Sequence, residues 1–166
     1  MAVHSNLLSF TYLGHIITSD RKDDEDIMKQ IRKLNVIGNT LIRKFSFCTT
    51  AVKLELFRSY CYSLYCNALW ARYKVTTLNK LRVCHNDILK RLLGVPRYVS
   101  SSQTFVTNNV NNVDVLRRIA MNSLMMRMMA SNNALIISIR QSSAFLRSPM
   151  CVEWQTKLYV HQRGNS

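Results

Sequence analysis

Acidic residues are scarce in this chain. It carries 9 Asp+Glu against 23 Lys+Arg, a formal net charge of +14. That balance argues against cationic partners and for a polyanion. Glycine and proline are also few, at 4 and 2. Four scattered glycines cannot build a phosphate-cradling loop, and so few turn residues argue against a many-turned β protein. No apolar run approaches the roughly 20 residues that span a bilayer, so no membrane span is expected; of the polyanions that suit the charge, an anionic membrane surface is the least favoured, and no membrane is counted among the partners. Five cysteines (Cys48, Cys61, Cys66, Cys84 and Cys151) form no paired spacing, which argues against a disulfide framework. The polar start, with Thr11 and His15 breaking the apolar stretch behind it, does not read as a signal peptide. The expectation is an intracellular chain, cytosolic or nuclear.

What is present is a hydrophobic content of 48% in 166 residues, enough for a buried core. The fold expected is mainly α: a helical bundle of about five helices with a short N-terminal β-strand or hairpin. Phe10 to Ile17 alternate as one strand, with Gly14 as a bulge or close backbone approach and Leu7 and Leu8 in any preceding strand. "TSDRKDDED" then offers helix caps. Ile27, Ile31, Leu34, Ile37, Leu41 and Phe45 recur every three or four residues as a first helix. A second helix runs from Thr49 or Thr50 to about Tyr73, its face set by Val52, Leu56, Tyr60, Leu64 and Ala68. A third carries Leu78, Leu81, Cys84, Ile88, Leu89 and Leu92 and stops at Gly94 and Pro96. Residues 98–112 read as a polar linker with at most one helical turn. A fourth helix reaches about Ala130, with Leu116, Ile119, Ala120, Leu124 and Met128, and "SNNALIISIR" is a short fifth. The divisions are thus 1–20 (strand), 21–97 (three helices), 98–140 (linker and later helices) and 141–166 (mobile tail).

Catalytic constellations are thin. Asp23, Asp24 and Asp26 follow Arg21 and Lys22 in a polar turn, which suits a solvated helix cap better than a rigid two-metal site. Cys61, Cys66, Cys84 and His85 could be strung into a ligand set, but their spacing favours buried thiols on helices. His4, His15 and His161 stand apart from any nucleophile. The run "MNSLMMRMMAS" suits core filling more than a binding groove. The cations are more informative. Residues 1–49 hold 7 basic and 5 acidic residues, about +2, and residues 50–166 hold 16 and 4, about +12. Arg and Lys on outer faces, with Tyr60, Tyr62, Tyr65, Trp70 and Tyr73 among them, suit a nucleic-acid backbone.

The segment "FTYLGHIITSD" (Phe10 to Asp20) resembles the Phe-x-Tyr-Leu-Gly segment of LINE-type, non-LTR retrotransposon reverse transcriptases. It lies there at the end of the palm, in a primer-gripping hairpin. "EDIMKQIRKLNVIGNTLIRKF" looks like the first thumb helix of that family. "VKLELFRSYCYSLYCNALW" resembles its Lys-x-x-Leu-[Phe/Tyr]-x-x-Tyr…Leu-Tyr…Trp helix, and "LNKLRVCHNDILKRLLGVPR" its Leu-x-x-Leu…Leu-Gly-Val-Pro-Arg segment. "FVTNNVNNVDVLRRIAMNSLMMRM" continues the same order, so the resemblance covers roughly residues 10–137.

The resemblance implies the C-terminal, primer-grip and thumb region of such an enzyme, without the fingers, the palm and its aromatic-x-Asp-Asp strand. A piece of this kind does not polymerise by itself and holds no cofactor; Mg²⁺ belongs to the intact polymerase. The implied partner is RNA or an RNA–DNA duplex, gripped by its backbone. A palm supplied in trans and self-association are the partners expected if the chain is instead an interaction fragment driven by its apolar patches. Arg32, Lys33, Arg43, Lys44, Lys80, Arg82, Lys90, Arg91 and Arg97 are the candidate nucleic-acid contacts. Tyr12, Leu13 and Gly14 are the primer-grip-like residues, with Tyr12 and Leu13 expected to be exposed. The alternative is a helical interaction or structural fragment with no nucleic-acid role.

Overall fold

The chain turns sharply where one strand was expected. In the computed structural model, which describes residues 9–156, β1 (Ser9–Tyr12) pairs antiparallel with β2 (His15–Thr18), Tyr12 opposite His15. The two residues between them, Leu13 and Gly14, have φ of 47° and 83°. Two left-handed residues in a two-residue loop make a type I′ turn, whose twist matches the strands. Gly14 is therefore a turn residue, not a bulge. It is also a close approach, since a Cβ there would lie 3.2 Å from Tyr65 Cε1. The Leu7 and Leu8 expectation lies outside the described residues.

Eight α-helices follow among the described residues, so the chain is mainly helical as expected, although with more helices than five. They are α1 (Asp24–Lys44), α2 (Thr50–Cys61), α3 (Val75–Leu93), α4 (Ser101–Thr107), α5 (Val113–Ala130), α6 (Ala134–Gln141), α7 (Ser143–Leu146) and α8 (Pro149–Trp154). The described residues fall into two compact units. One reaches to Tyr65 and includes Arg72–Asp114; the other comprises Cys66–Ala71 and the residues from Val115 on.

In the first unit α1 lies against α3. Ile27, Ile31, Leu34 and Leu41 of α1 are buried, as are Leu78, Leu81, Ile88, Leu89 and Leu92 of α3. Phe57 and Cys61 of α2 and Phe105 of α4 complete this core. The periodicity located the α1 and α3 faces well. Gly94 ends α3 at φ 70°, and Val95 N–H reaches back to Lys90 O at 2.8 Å, a Schellman closure.

The second helix departs from expectation. It ends at Cys61 rather than Tyr73, and a 3₁₀ turn, Asn67–Leu69, follows. Its buried face is Phe57 and Cys61; Val52 and Tyr60 are exposed. The aromatic residues made two stripes plausible, and packing selected the one that meets α3. Residues 98–112 are not a plain linker, because Ser100 caps α4 by accepting the Gln103 N–H.

In the second unit the core is Met121 and Met125 of α5, Phe145 of α7, and Cys151 and Trp154 of α8, with Met128 and Met150 packed on it. Core filling by methionine thus describes Met121 and Met125, whereas Met126 and Met129 are exposed, as is Ile119. The expected mobile tail is corrected as far as residue 156. Ser142 caps α7 through the Phe145 N–H, and Ser148 caps α8 through the Cys151 N–H with Pro149 just inside the helix. Trp154 Nε1 donates to Asn122 Oδ1 at 3.2 Å. Residues 157–166 lie outside the described residues.

At Gly38 α1 and α3 approach closely: an added Cβ would meet Ile88 Cδ1 and Cγ1 at 2.6 Å. Gly38→Ala gains about 1 kcal/mol of helix propensity, but overpacking costs about 1–3 kcal/mol. Urea denaturation is expected to show a net loss, and Ile88→Val in the same chain to recover part of it. A stabilised single variant would refute the close approach.

Candidate nucleic-acid interface

The acids at the start of α1 determine which cations remain available. They were expected to be a solvated cap, and this is corrected. Asp26 is fully buried, and its Oδ1 accepts the Ile16 N–H at 3.1 Å while His15 Nδ1 lies 3.1 Å from Oδ2. Asp23 Oδ2 accepts the Arg72 N–H at 2.8 Å, and Asp23 N–H donates to Arg72 O at 2.7 Å. Asp24 Oδ1 accepts the Lys74 N–H at 3.1 Å. These carboxylates hold the hairpin and the approach to α3 against the α1 N-terminus. His15 is therefore not isolated. Its partners come from residues eight and eleven positions on, which a scan for adjacent motifs does not see.

Beyond Asp26 no acid occurs until Glu55. Arg32, Lys33, Arg43 and Lys44 are all exposed on α1, with no ion-pair or hydrogen-bond partner among the described residues. Their spacing puts them opposite the buried Ile27–Ile31–Leu34–Leu41 stripe. From Arg32 to Arg43 the face runs about 17 Å at 1.5 Å per residue. Lys29 shares this side but donates to Gly14 O at 2.8 Å, fastening the hairpin turn.

The cations of α3 are mostly engaged. Arg82 is clamped on Asp114, with Nε to Oδ2 at 2.9 Å and Nη2 to Oδ1 at 2.7 Å. Lys90 is buried and donates to Arg97 O at 3.1 Å and Val99 O at 2.5 Å, pinning the chain after α3. Both are thus engaged within the protein. Asp87 lies 3.4 Å from Arg91 Nη1 and 3.6 Å from Arg97 Nη2, which halves what those two arginines offer. Lys80 is exposed with no partner among the described residues.

Two concavities adjoin these residues. A groove of about 860 Å³ along α3 is lined by Asn35, Asn79, Lys80, Asn86 and Arg97 among others. A notch of about 470 Å³ brings Arg43 of α1 together with Arg91 of α3, beside Asn39 and Thr40. Arg91 Nη2 donates to Asn39 Oδ1 at 3.2 Å. The asparagines were missed in the sequence; they are polar, uncharged and off the apolar stripe, and only the side they share makes them visible. Tyr12 and Leu13 are exposed, at 62% and 74%. Leu13 O accepts a hydrogen bond from the Tyr65 hydroxyl. Gly14 sits with them at the turn, its carbonyl held by Lys29 Nζ.

The thiols are quiet. Burial pushes Cys61 up to about 12 and Cys84 up to about 11, with Asp87 adding to the latter, so both stay protonated. Among the described residues no group of three or more His, Cys, Asp or Glu is placed to hold a metal ion, and no helix is long and apolar enough to cross a membrane. No family model, curated protein or solved structure matches the chain.

His85 of α3 lies in the core of the first unit. It is fully buried, 4.8 Å from the Phe57 ring and stacked at 5.6 Å on Phe105. Burial lowers it from 6.5 to about 4. The unfolded chain then binds the extra proton between these values. The contribution is complete above about pH 6.5 and is lost as pH falls toward 4, about 3 kcal/mol in all. His85→Phe is expected to flatten the stability curve over that window relative to the parent in pH-resolved denaturation. Parallel curves would disprove the linkage.

Proposed function

We propose that this chain is a thumb-like, sequence-nonspecific nucleic-acid-binding module of the kind found in LINE-type reverse transcriptases. It grips RNA or an RNA–DNA duplex by its phosphates through the outer face of α1. One observation carries the reading: Arg32, Lys33, Arg43 and Lys44 share a face about 17 Å long from which carboxylates are absent. The ordered motifs from Phe10 to Met128 support the family resemblance, and the unpaired cations support the backbone-reading mode. Arg43 and Arg91, converging on one notch, suit a single phosphate.

Such a grip is electrostatic and indifferent to sequence. About four neutralised phosphates give a slope of log affinity on log salt near −3 to −4. Fluorescence anisotropy on a hybrid of about 20 base pairs, a length exceeding the α1 face, measures this slope. Reversing Arg32, Lys33 and Arg43 to Glu is expected to weaken binding at least about 100-fold at low salt. Reversing Arg118, an exposed cation of the second unit, is expected to have little effect. Equal losses from both, or no binding by the parent, would refute the assignment.

The reading assigns no polymerase activity to these 166 residues. Asp23, Asp24 and Asp26 are occupied by Arg72, Lys74 and Ile16 backbone groups. With primer, template, dNTPs and Mg²⁺ the purified chain is expected to give no extension; template-dependent product would overturn this.

A further inference from the structure

The hairpin has one covered edge and one that no described residue pairs with. Tyr12 opposite His15 closes the two-residue turn, so that pair exchanges both backbone bonds. Alternation then turns the N–H and C=O of Thr11 and Ile16 outward. On the β2 side the Ile16 N–H meets the buried Asp26 carboxylate at 3.1 Å. On the β1 side Thr11 meets no partner among the described residues. Every residue of β1 is exposed, with Phe10 at 60% and Tyr12 at 62%. Shortness is the one usual guard β1 has, for Ser9–Tyr12 holds no charge, no proline and no bulge.

We propose that this edge pairs antiparallel with β1 of a second copy of the chain, joining two hairpins into a four-stranded sheet. The strand is self-complementary about Thr11. A two-fold axis there lets Thr11 and its symmetry mate exchange both outward N–H···O bonds. It also sets Phe10 opposite Tyr12 of the other copy, twice, and aromatic pairs are among the favourable cross-strand contacts. The neutrality of β1 selects the place, because most other exposed surface on a chain of +14 repels its own kind. The contact is small. Four half-buried rings at about 150–250 Å² each fall short of the roughly 1,200 Å² of a stable interface. Association is therefore weak, concentration-dependent and stronger when salt screens the charge.

Sedimentation velocity tests this over roughly 10 µM to 1 mM protein, the range suited to a weak interface. The salt is about 0.5 M, where the Debye length is under about 5 Å. The expected result is a monomer–dimer shift, with slower hydrogen exchange of the Thr11 amide at high concentration. Thr11→Pro removes the outward donor without removing a bond within the hairpin and is expected to abolish the shift. Phe10→Lys leaves the backbone intact and is expected to weaken it at least about tenfold, so it decides the matter if the proline variant fails to fold by circular dichroism. A monomer throughout, a dimer unchanged in both variants, or a dimer with an unprotected Thr11 amide would overturn the proposal. Binding of an extended foreign peptide by an otherwise monomeric chain would do the same.

Discussion

The contact between α1 and α3 at Gly38 and Ile88 organises the first unit. Because Gly38 has no Cβ, the Ile88 side chain of α3 fills that space against the α1 backbone, and such close packing leaves little freedom to rotate about the helix axes. Once Ile27, Ile31, Leu34 and Leu41 face α3, every residue on the opposite side of α1 is committed to solvent. Arg32, Lys33, Arg43 and Lys44 are a surface because Gly38 is an interior. The notch shared by Arg43 and Arg91 follows from the same approach, since it exists only where the two helices run side by side.

Formal charge is a poor guide to where a polyanion could sit. The N-terminal 49 residues are nearly neutral by count, yet three of their five acids, Asp23, Asp24 and Asp26, sit at one end of α1 and are bonded to the backbone of other segments. The rest of that helix is left purely cationic. The C-terminal part is far more basic, but much of its charge serves internal bonds. Arg58 reaches the Asn108 and Asn109 carbonyls, Arg82 holds Asp114, Lys90 ties down the segment after α3, and Arg140 caps α5 through Met128 and Met129. Lys53, Arg72, Lys74, Lys80 and Arg118 keep side chains without recorded ion pairs, but they are not gathered on one helix face as the α1 cations are.

The elements most legible in the sequence were those whose signals agreed. In α1 and α3 the apolar period, the flanking polar residues and, for α3, Gly94 and Pro96 all pointed one way, and both helices lie where they were expected. Failures came where signals conflicted or were non-local. Val52, Leu56 and Tyr60 form as regular a stripe as the one used, and only contact with α3 chooses between them. The short helices α7 and α8 are too brief to show a period; Ser142 and the Ser148–Pro149 pair were their readable marks. At the candidate interface, α1's free cations were legible by position on the helix. Lys90 and Arg82 were not, because their partners at Val99 and Asp114 are brought to them only by the folded chain.

The hairpin's fastenings bear on the order in which the molecule can be built. Its carbonyl at Leu13 is held by Tyr65, 52 residues later, and the Asp23 bridge waits for Arg72, 49 residues later. A lone two-stranded ribbon is marginal in water. During synthesis, therefore, the hairpin has only its bonds to Asp26 and Lys29 of α1 until α2 and the segment beyond it have left the ribosome. The hairpin thus completes its fastenings only after residues 49 and 52 positions on are in place, and through that interval Phe10 and Tyr12 are open to whatever is nearby.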